Sequence, residues 1–359
     1  MRPPVVALAI GVVASCRGRI ATDCEATGMS DGGGSVVTLA SGLEGPNLLA
    51  VDDANVYWTN VAVGSAMQSL EQAPKSGGAP ITLASGLESM SIAVDSTSVY
   101  WTNCNPVRNS DGSVINNGSV MKVPIGGGSL TTLFSDLSCP GNIAVDTTNV
   151  YWTELLDGSS SYGSPPPSCQ IMKVSLDGGD PIVLVTGPCG QGLAVDGTNV
   201  YWADGPLLMK ISVDGGEQTT LASWSYNVDM VAVDSESLYW TDGASIAKVS
   251  IGGGVPVTLA SMPNNTEFSG LPMYHVAAIV LDSTSIYWTV DGSTFGGSAA
   301  GSAAPDPAAS SVMRVSKGGG CAAETLVSGL AWPYGIAVNS TSVFWTTQGD
   351  GAVMSVTPK

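Results

Sequence analysis

The sequence predicts an all-β protein, a seven-bladed β-propeller of four-stranded antiparallel blades, and three observations carry that expectation. One phrase returns seven times: a small apolar triplet, Asp, a short polar link, then Val-Tyr-Trp-Thr or a close variant, at residues 50–60, 93–103, 144–154, 194–204, 232–242, 280–290 and 337–347. Self-similarity at a period of roughly 40–50 residues marks a propeller or a solenoid. A Gly pair or triplet then follows most copies, as at Gly77-Gly78, Gly178-Gly179 and Gly215-Gly216. Third, the last copy ends without its Gly turn and fourth segment, and the missing piece stands at the other end of the chain, as Gly32-Gly33-Gly34 followed by residues 35–41.

Each repeat reads as four strands. In the second, these are residues 92–94, 99–102, 119–124 and 130–135. The link after the first strand begins with Asp52, Asp95, Asp146, Asp196, Asp234, Asp282 or Asn339, six positions before the Trp, and an acidic or amide side chain there caps backbone N–H groups in an Asx turn. The Gly turn between third and fourth strands needs positive φ, which glycine reaches without steric cost. Residues 35–41 should become the outer strand of the last blade and lock the ring. Four-stranded blades around a channel leave only short, protected sheet edges.

The repeated indoles, Trp58, Trp101, Trp152, Trp202, Trp240, Trp288 and Trp345, are expected between blades, because seven equivalent positions do not make one site. Each buries roughly 150–250 Å², worth a few kcal/mol at roughly 25 cal/mol/Å² before entropy is charged.

Tyr239-Trp240-Thr241-Asp242 is a literal Tyr-Trp-Thr-Asp, and Tyr201-Trp202-Ala203-Asp204 differs by one residue. The chain therefore resembles the YWTD and NHL group of β-propellers, the first best known from LDL-receptor-type ectodomains. The resemblance covers nearly all of residues 32–359 but rests on short motifs. The fourth motif residue is usually Asn, Glu or Thr here, and those receptor propellers have six blades. The resemblance implies the fold and not a receptor-type ligand. Topology and a lipid anchor also resemble the lipoprotein propeller that scaffolds outer-membrane assembly, though its repeat motif differs.

Three parts are expected along the chain: a lipoprotein signal peptide at 1–15, an anchored linker at 16–31 and one propeller domain at 32–359. The apolar run at 5–13 is too short to span a bilayer and reads as a secretory signal. Val13-Ala14-Ser15-Cys16 resembles a bacterial lipobox, which would lipidate Cys16; an ordinary signal cleaved nearby is the alternative. Arg17 as the following residue favours, by resemblance to Gram-negative sorting, the outer membrane, on its periplasmic or surface side.

Six further cysteines in a secreted chain predict disulfides. Loops between second and third strands share a face with the connections between blades. That face pairs Cys104 with Cys139 and, one blade on, Cys169 with Cys189; Cys24 and Cys321 should meet on the opposite face. A zinc site is excluded on spacing, with no Cys-x-x-Cys and one His, and no metal or other cofactor is expected.

A net charge of −18 excludes a nucleic-acid partner, which needs a concentrated basic surface, and leaves the lipid as the only expected membrane contact. Functional residues should be those that break the repeat, since loops on a rigid scaffold carry function. The connections entering blades 5, 6 and 7 carry Trp224, Tyr226 and Asp229; Glu267, Phe268, Tyr274 and His275; and Trp332 and Tyr334. These rings either stack on a glycan, peptide or envelope protein, or plug the channel mouth and pack under the long loop before His275. Glu154, Asp204, Asp242 and Asp291, at the ends of second strands, form a cation-attracting rim or are solvated strand ends. No catalytic motif is present. A monomeric binding module is the leading expectation; a hydrolase or lyase using Asp229, Glu267 and His275, or a non-catalytic envelope scaffold, are the alternatives.

Overall fold

The computed structural model describes residues 34–61, 68–104, 107–108, 114–115, 117–156, 168–188, 192–262, 275–292 and 310–359. Seven four-stranded antiparallel sheets, each in the order inner to outer strand, form the seven blades. Blade 1 is Pro46–Val51, Asn55–Asn60, Gln68–Pro74 and Ile81–Leu87; blade 2 is Ser89–Val94, Ser98–Asn103, Gly118–Pro124 and Thr131–Leu137. Blade 3 is Pro140–Val145, Asn149–Leu155, Ser168–Ser175 and Ile182–Pro188; blade 4 is Leu193–Val195, Asn199–Asp204, Leu207–Ser212 and Thr219–Ser223. Blade 5 is Met230–Val233, Ser237–Thr241, Ser245–Ser250 and Val257–Ser261; blade 6 is His275–Leu281, Ser285–Asp291, Ser311–Ser316 and Glu324–Ser328. Blade 7 takes Pro333–Val338, Val343–Thr347 and Ala352–Thr357 from the end of the chain and its outer strand, Ser35–Ser41, from the beginning. That strand pairs antiparallel with the third, from Ser35 opposite Thr357 to Ser41 opposite Ala352, so the ring closes as the sequence predicts.

Each residue of the repeated phrase has a distinct role. One carboxylate oxygen of Asp146 accepts the N–H groups of Thr148 (2.7 Å) and Asn149 (2.8 Å), while the other accepts the Tyr151 hydroxyl at 2.7 Å. The same three bonds recur at Asp52, Asp95, Asp196, Asp234 and Asp282. Blade 7 alone replaces the pair together: Phe344 has no hydroxyl to donate, and Asn339, still capping the turn, has no second carboxylate oxygen to receive one. The seven indoles are buried between blades, at 0–1 % exposure. The Thr after the Trp ties neighbouring blades, since Thr102, Thr289 and Thr346 donate to the carbonyls of Gly141, Tyr334 and Asn47 on the next inner strand, at 2.6–2.7 Å.

Connections between blades and the loops after second strands lie on one side of the ring, the mouth face; the Asx and Gly turns lie on the other, the turn face. Gly77 and Gly78 show why glycine is needed there, with φ of +81° and +151°. Lysines clamp the turn face. Lys173 and Lys210 donate to Val213 O (2.6 Å) and Ile251 O (2.7 Å) of the following blade, and Lys122 and Lys248 do the same to Leu176 and Lys317. In the reverse direction, Lys317 reaches back to Asp234 at 2.7 Å and Lys359 to Asp282. Burial raises the Asp282 carboxyl, but Lys359 and two backbone N–H groups outweigh it and bring it down to about 2.

Candidate ligand-binding face

One of the three disulfide expectations falls wholly within the described residues, and it holds: Cys104 is bonded to Cys139, their Cα atoms 4.5 Å apart, joining the loop after the second strand of blade 2 to the connection into blade 3. Cys169 and Cys321 are also disulfide-bonded, while the predicted partners Cys189 and Cys24 lie outside the described residues. Cys16 and the other residues before 34 lie outside them too.

The aromatic set divides. The connection into blade 5 is fixed to the turn below it by Trp224 N–H to Pro206 O (2.8 Å) and Val228 N–H to Gly205 O (2.9 Å). Between these anchors Trp224 turns inward. It is half-buried, meets the motif indole of Trp240 edge to face at 5.2 Å, and donates its Nε1–H to Asp242 Oδ2 at 2.7 Å. Trp224 is thus structural in large part, and Asp242, which also caps the N–H groups of Ala244 and Ser245, serves the fold as well as the rim. Tyr226, two residues on, stands 69 % exposed.

The connection into blade 7 is held by Gln348 N–H to Trp332 O and Gly349 N–H to Ala331 O, both 3.0 Å. Trp332 itself sits at φ +52°, a conformation that costs a bulky residue on the order of 1–3 kcal/mol. Its ring lies over Gly349, where an added Cβ would come within 3.2 Å of Trp332 Cε3. The strain holds an indole 40 % exposed beside Tyr334, 37 % exposed.

Strand register shows what surrounds them. In blades 1, 2, 3, 6 and 7 a bulge in the inner strand sets one residue at the channel mouth, and by register Tyr334 is equivalent to Asn47, Met90, Gly141 and Ala277 and, in blade 5 without a bulge, to Asp229. Tyr334 and Asp229 therefore flank the small Ala277 on the same rim. Met90, 53 % exposed, and Asn47, whose Oδ1 accepts from Gln348 Nε2 at 3.2 Å, belong to this ring and were not singled out by sequence. His275 begins the inner strand of blade 6 opposite Asp291. Glu267, Phe268 and Tyr274 lie outside the described residues, so a three-residue acid–base cluster with Asp229 is not described.

Of the rim carboxylates, burial raises Glu154, partly offset by the Ser138 N–H at 2.9 Å, and burial raises Asp204. No group of three or more His, Cys, Asp or Glu among the described residues is placed to hold a metal ion. A cavity of about 320 Å³ opens away from the aromatic arc, lined by Glu88, Asn103, Asn117, Ser119, Met121 and Thr132 of blade 2 and its approach.

No family model matches the chain, and no curated protein does. Solved structures are similar to it at low identity. A virginiamycin B lyase from Staphylococcus aureus matches with a TM-score of 0.58 at 11% identity, covering 90% of this chain and 98% of that one. An oligogalacturonate lyase in complex with manganese matches at 0.57 and 12%, covering 92% and 94%. The propeller of a nidogen/laminin complex matches at 0.43 and 22%, covering 57% of this chain and 76% of that one. At these identities the comparisons show one thing: the chain is a β-propeller.

Proposed function

We propose that this protein is an extracytoplasmic binding module, held to the outer membrane through a lipidated Cys16, whose mouth face takes a glycan, peptide or protein surface. The observation that carries the reading is a contrast within one residue type. Seven tryptophans are buried at 0–1 % exposure and Trp224 is half-buried with its N–H bonded, whereas Trp332 is kept 40 % exposed on a strained backbone. Burying that ring would be favourable by the same area argument that buries the others, so its exposure is a cost that binding offsets. With Tyr226 and Tyr334 it offers aromatic surface on one face, the composition enriched in recognition patches.

Trp332→Gly is the discriminating variant, because glycine accepts the φ of +52° that the indole does not. We expect it to keep or raise the melting temperature while weakening ligand binding about tenfold or more, scored in a glycan and peptide array. Trp224→Ala should instead destabilise by about 2 kcal/mol or more through lost packing and an orphaned Asp242 contact. If Trp332→Gly melts far below the parent, the ring belongs to the core and the reading is wrong. The anchor is tested separately: labelled fatty acid should be incorporated by the parent and not by Cys16→Ala.

A further inference from the structure

Resting on the reading above, we propose that the aromatic mouth face selects a polypeptide segment bearing exposed Lys or Arg side chains, in preference to a neutral or acidic ligand. The cations described on this propeller are gathered away from the mouth face, whereas carboxylates occur on both faces. Every cationic side chain that the structure describes is engaged away from the mouth: the lysines clamp the turn face, including Lys75 on Asp52 O at 2.8 Å, and Arg314 bridges to Glu324 at 2.8 Å on the wall of blade 6. The basic positions among the described residues of the mouth face are Arg108, on the small hairpin after the second strand of blade 2, and His275 on blade 6.

The arc from blade 4 to blade 7, by contrast, carries carboxylates among its rings. Asp204 ends the second strand of blade 4, Asp229 and Asp242 bracket the first two strands of blade 5, and Asp350 follows Gln348 and Gly349 beside Trp332. A face of electron-rich rings among negative charges complements a cation twice over. Ammonium or guanidinium groups are attracted to a ring face by about 0.5–2 kcal/mol, more strongly to Trp than to Tyr. The field of the carboxylates raises the local concentration of cations and the association rate, both falling with salt. An acidic ligand meets repulsion at the same positions. Tyr226 stands on the connection into blade 5 and Trp332 on that into blade 7, with one blade between them, and the cavity of blade 2 lies elsewhere. Exposed rings set on connections two blades apart suit an extended chain better than a small amine.

The test titrates the full-length protein with three fluorescent probes: a peptide alternating Lys and Ser, the same peptide with Glu for Lys, and a neutral hexasaccharide. We expect saturable binding of the Lys peptide, weakened about tenfold or more between roughly 0.05 and 0.5 M salt as the charges are screened. Trp332→Gly should lower its affinity about tenfold, and Asp229→Asn with Asp350→Asn about threefold or more. The Glu peptide should not bind. Binding of the hexasaccharide that depends on Trp332, with no preference for Lys over Glu, would overturn the cationic ligand and leave the aromatic face standing. Binding of the Lys peptide that ignores Trp332 would overturn the proposal by reducing it to diffuse attraction to an acidic protein. If no probe shows binding that depends on Trp332, both the proposal and the reading beneath it fall.

Discussion

At the scale of single residues, the repeated phrase acts as a hydrogen-bonding unit whose parts change together. Six Asp–Tyr pairs share a hydrogen bond, and in the seventh both partners are replaced. A carboxylate at position 339 would gain a buried oxygen with no hydroxyl to meet it, so Asn339→Asp should destabilise by about 1–3 kcal/mol. Adding Phe344→Tyr should recover much of that loss, a coupling read by a double-mutant cycle of denaturation midpoints. Burial, then Asp282, pushes the Tyr287 hydroxyl up to about 12, and burial with the neighbouring Asp moves Tyr57, Tyr100, Tyr151, Tyr201 and Tyr239 in the same direction. The phenols of the folded protein should therefore resist ionisation above pH 10, while the unfolded chain ionises there. Stability from these groups is full below pH 10 and lost as pH rises through the folded values. Absorbance of tyrosinate against pH, followed alongside the melting temperature, checks both.

At the scale of strands and turns, most of the architecture is legible in the sequence because the repeat states it seven times. The Cys104–Cys139 bond follows from knowing which loops share a face. The candidate site is less legible, for a physical reason. Trp224 and Trp332 occupy similar loops in the sequence, and what separates them is the acceptor two residues after the motif Trp: Asp242 lies where it can receive the Trp224 N–H. The mouth positions of Asn47 and Met90 are defined by a bulge in register and by no residue type, so nothing in the string marks them. The clamp between blades 6 and 7 gives a further test. Asp282 is held at about 2 against an ordinary value of 3.8, so its contribution is present above pH 4 and is lost as pH falls towards 2. Asp282→Asn should cost about 2 kcal/mol at pH 7, and the difference from the parent should shrink steadily in melts run from about pH 5 to pH 2.

At the scale of the whole molecule, closure is the decisive step. Removing residues 35–41 would leave the third strand of blade 7 as an open edge, uncovering the side of Val353 and Val356, now 0 and 2 % exposed. Such an edge is a template for pairing between copies. The truncated protein should form soluble oligomers or aggregate, measured by light scattering, and a synthetic peptide of residues 34–41 added in excess should suppress this. The same seam has a mechanical consequence. Because Ser35 stands opposite Thr357, the two strand ends meet at one point on the rim. Tension that draws residue 34 away from residue 359 would load one rung of the ladder at a time and peel the seam open. The other six blades, each built from continuous chain, would feel that pull only after the seam had parted.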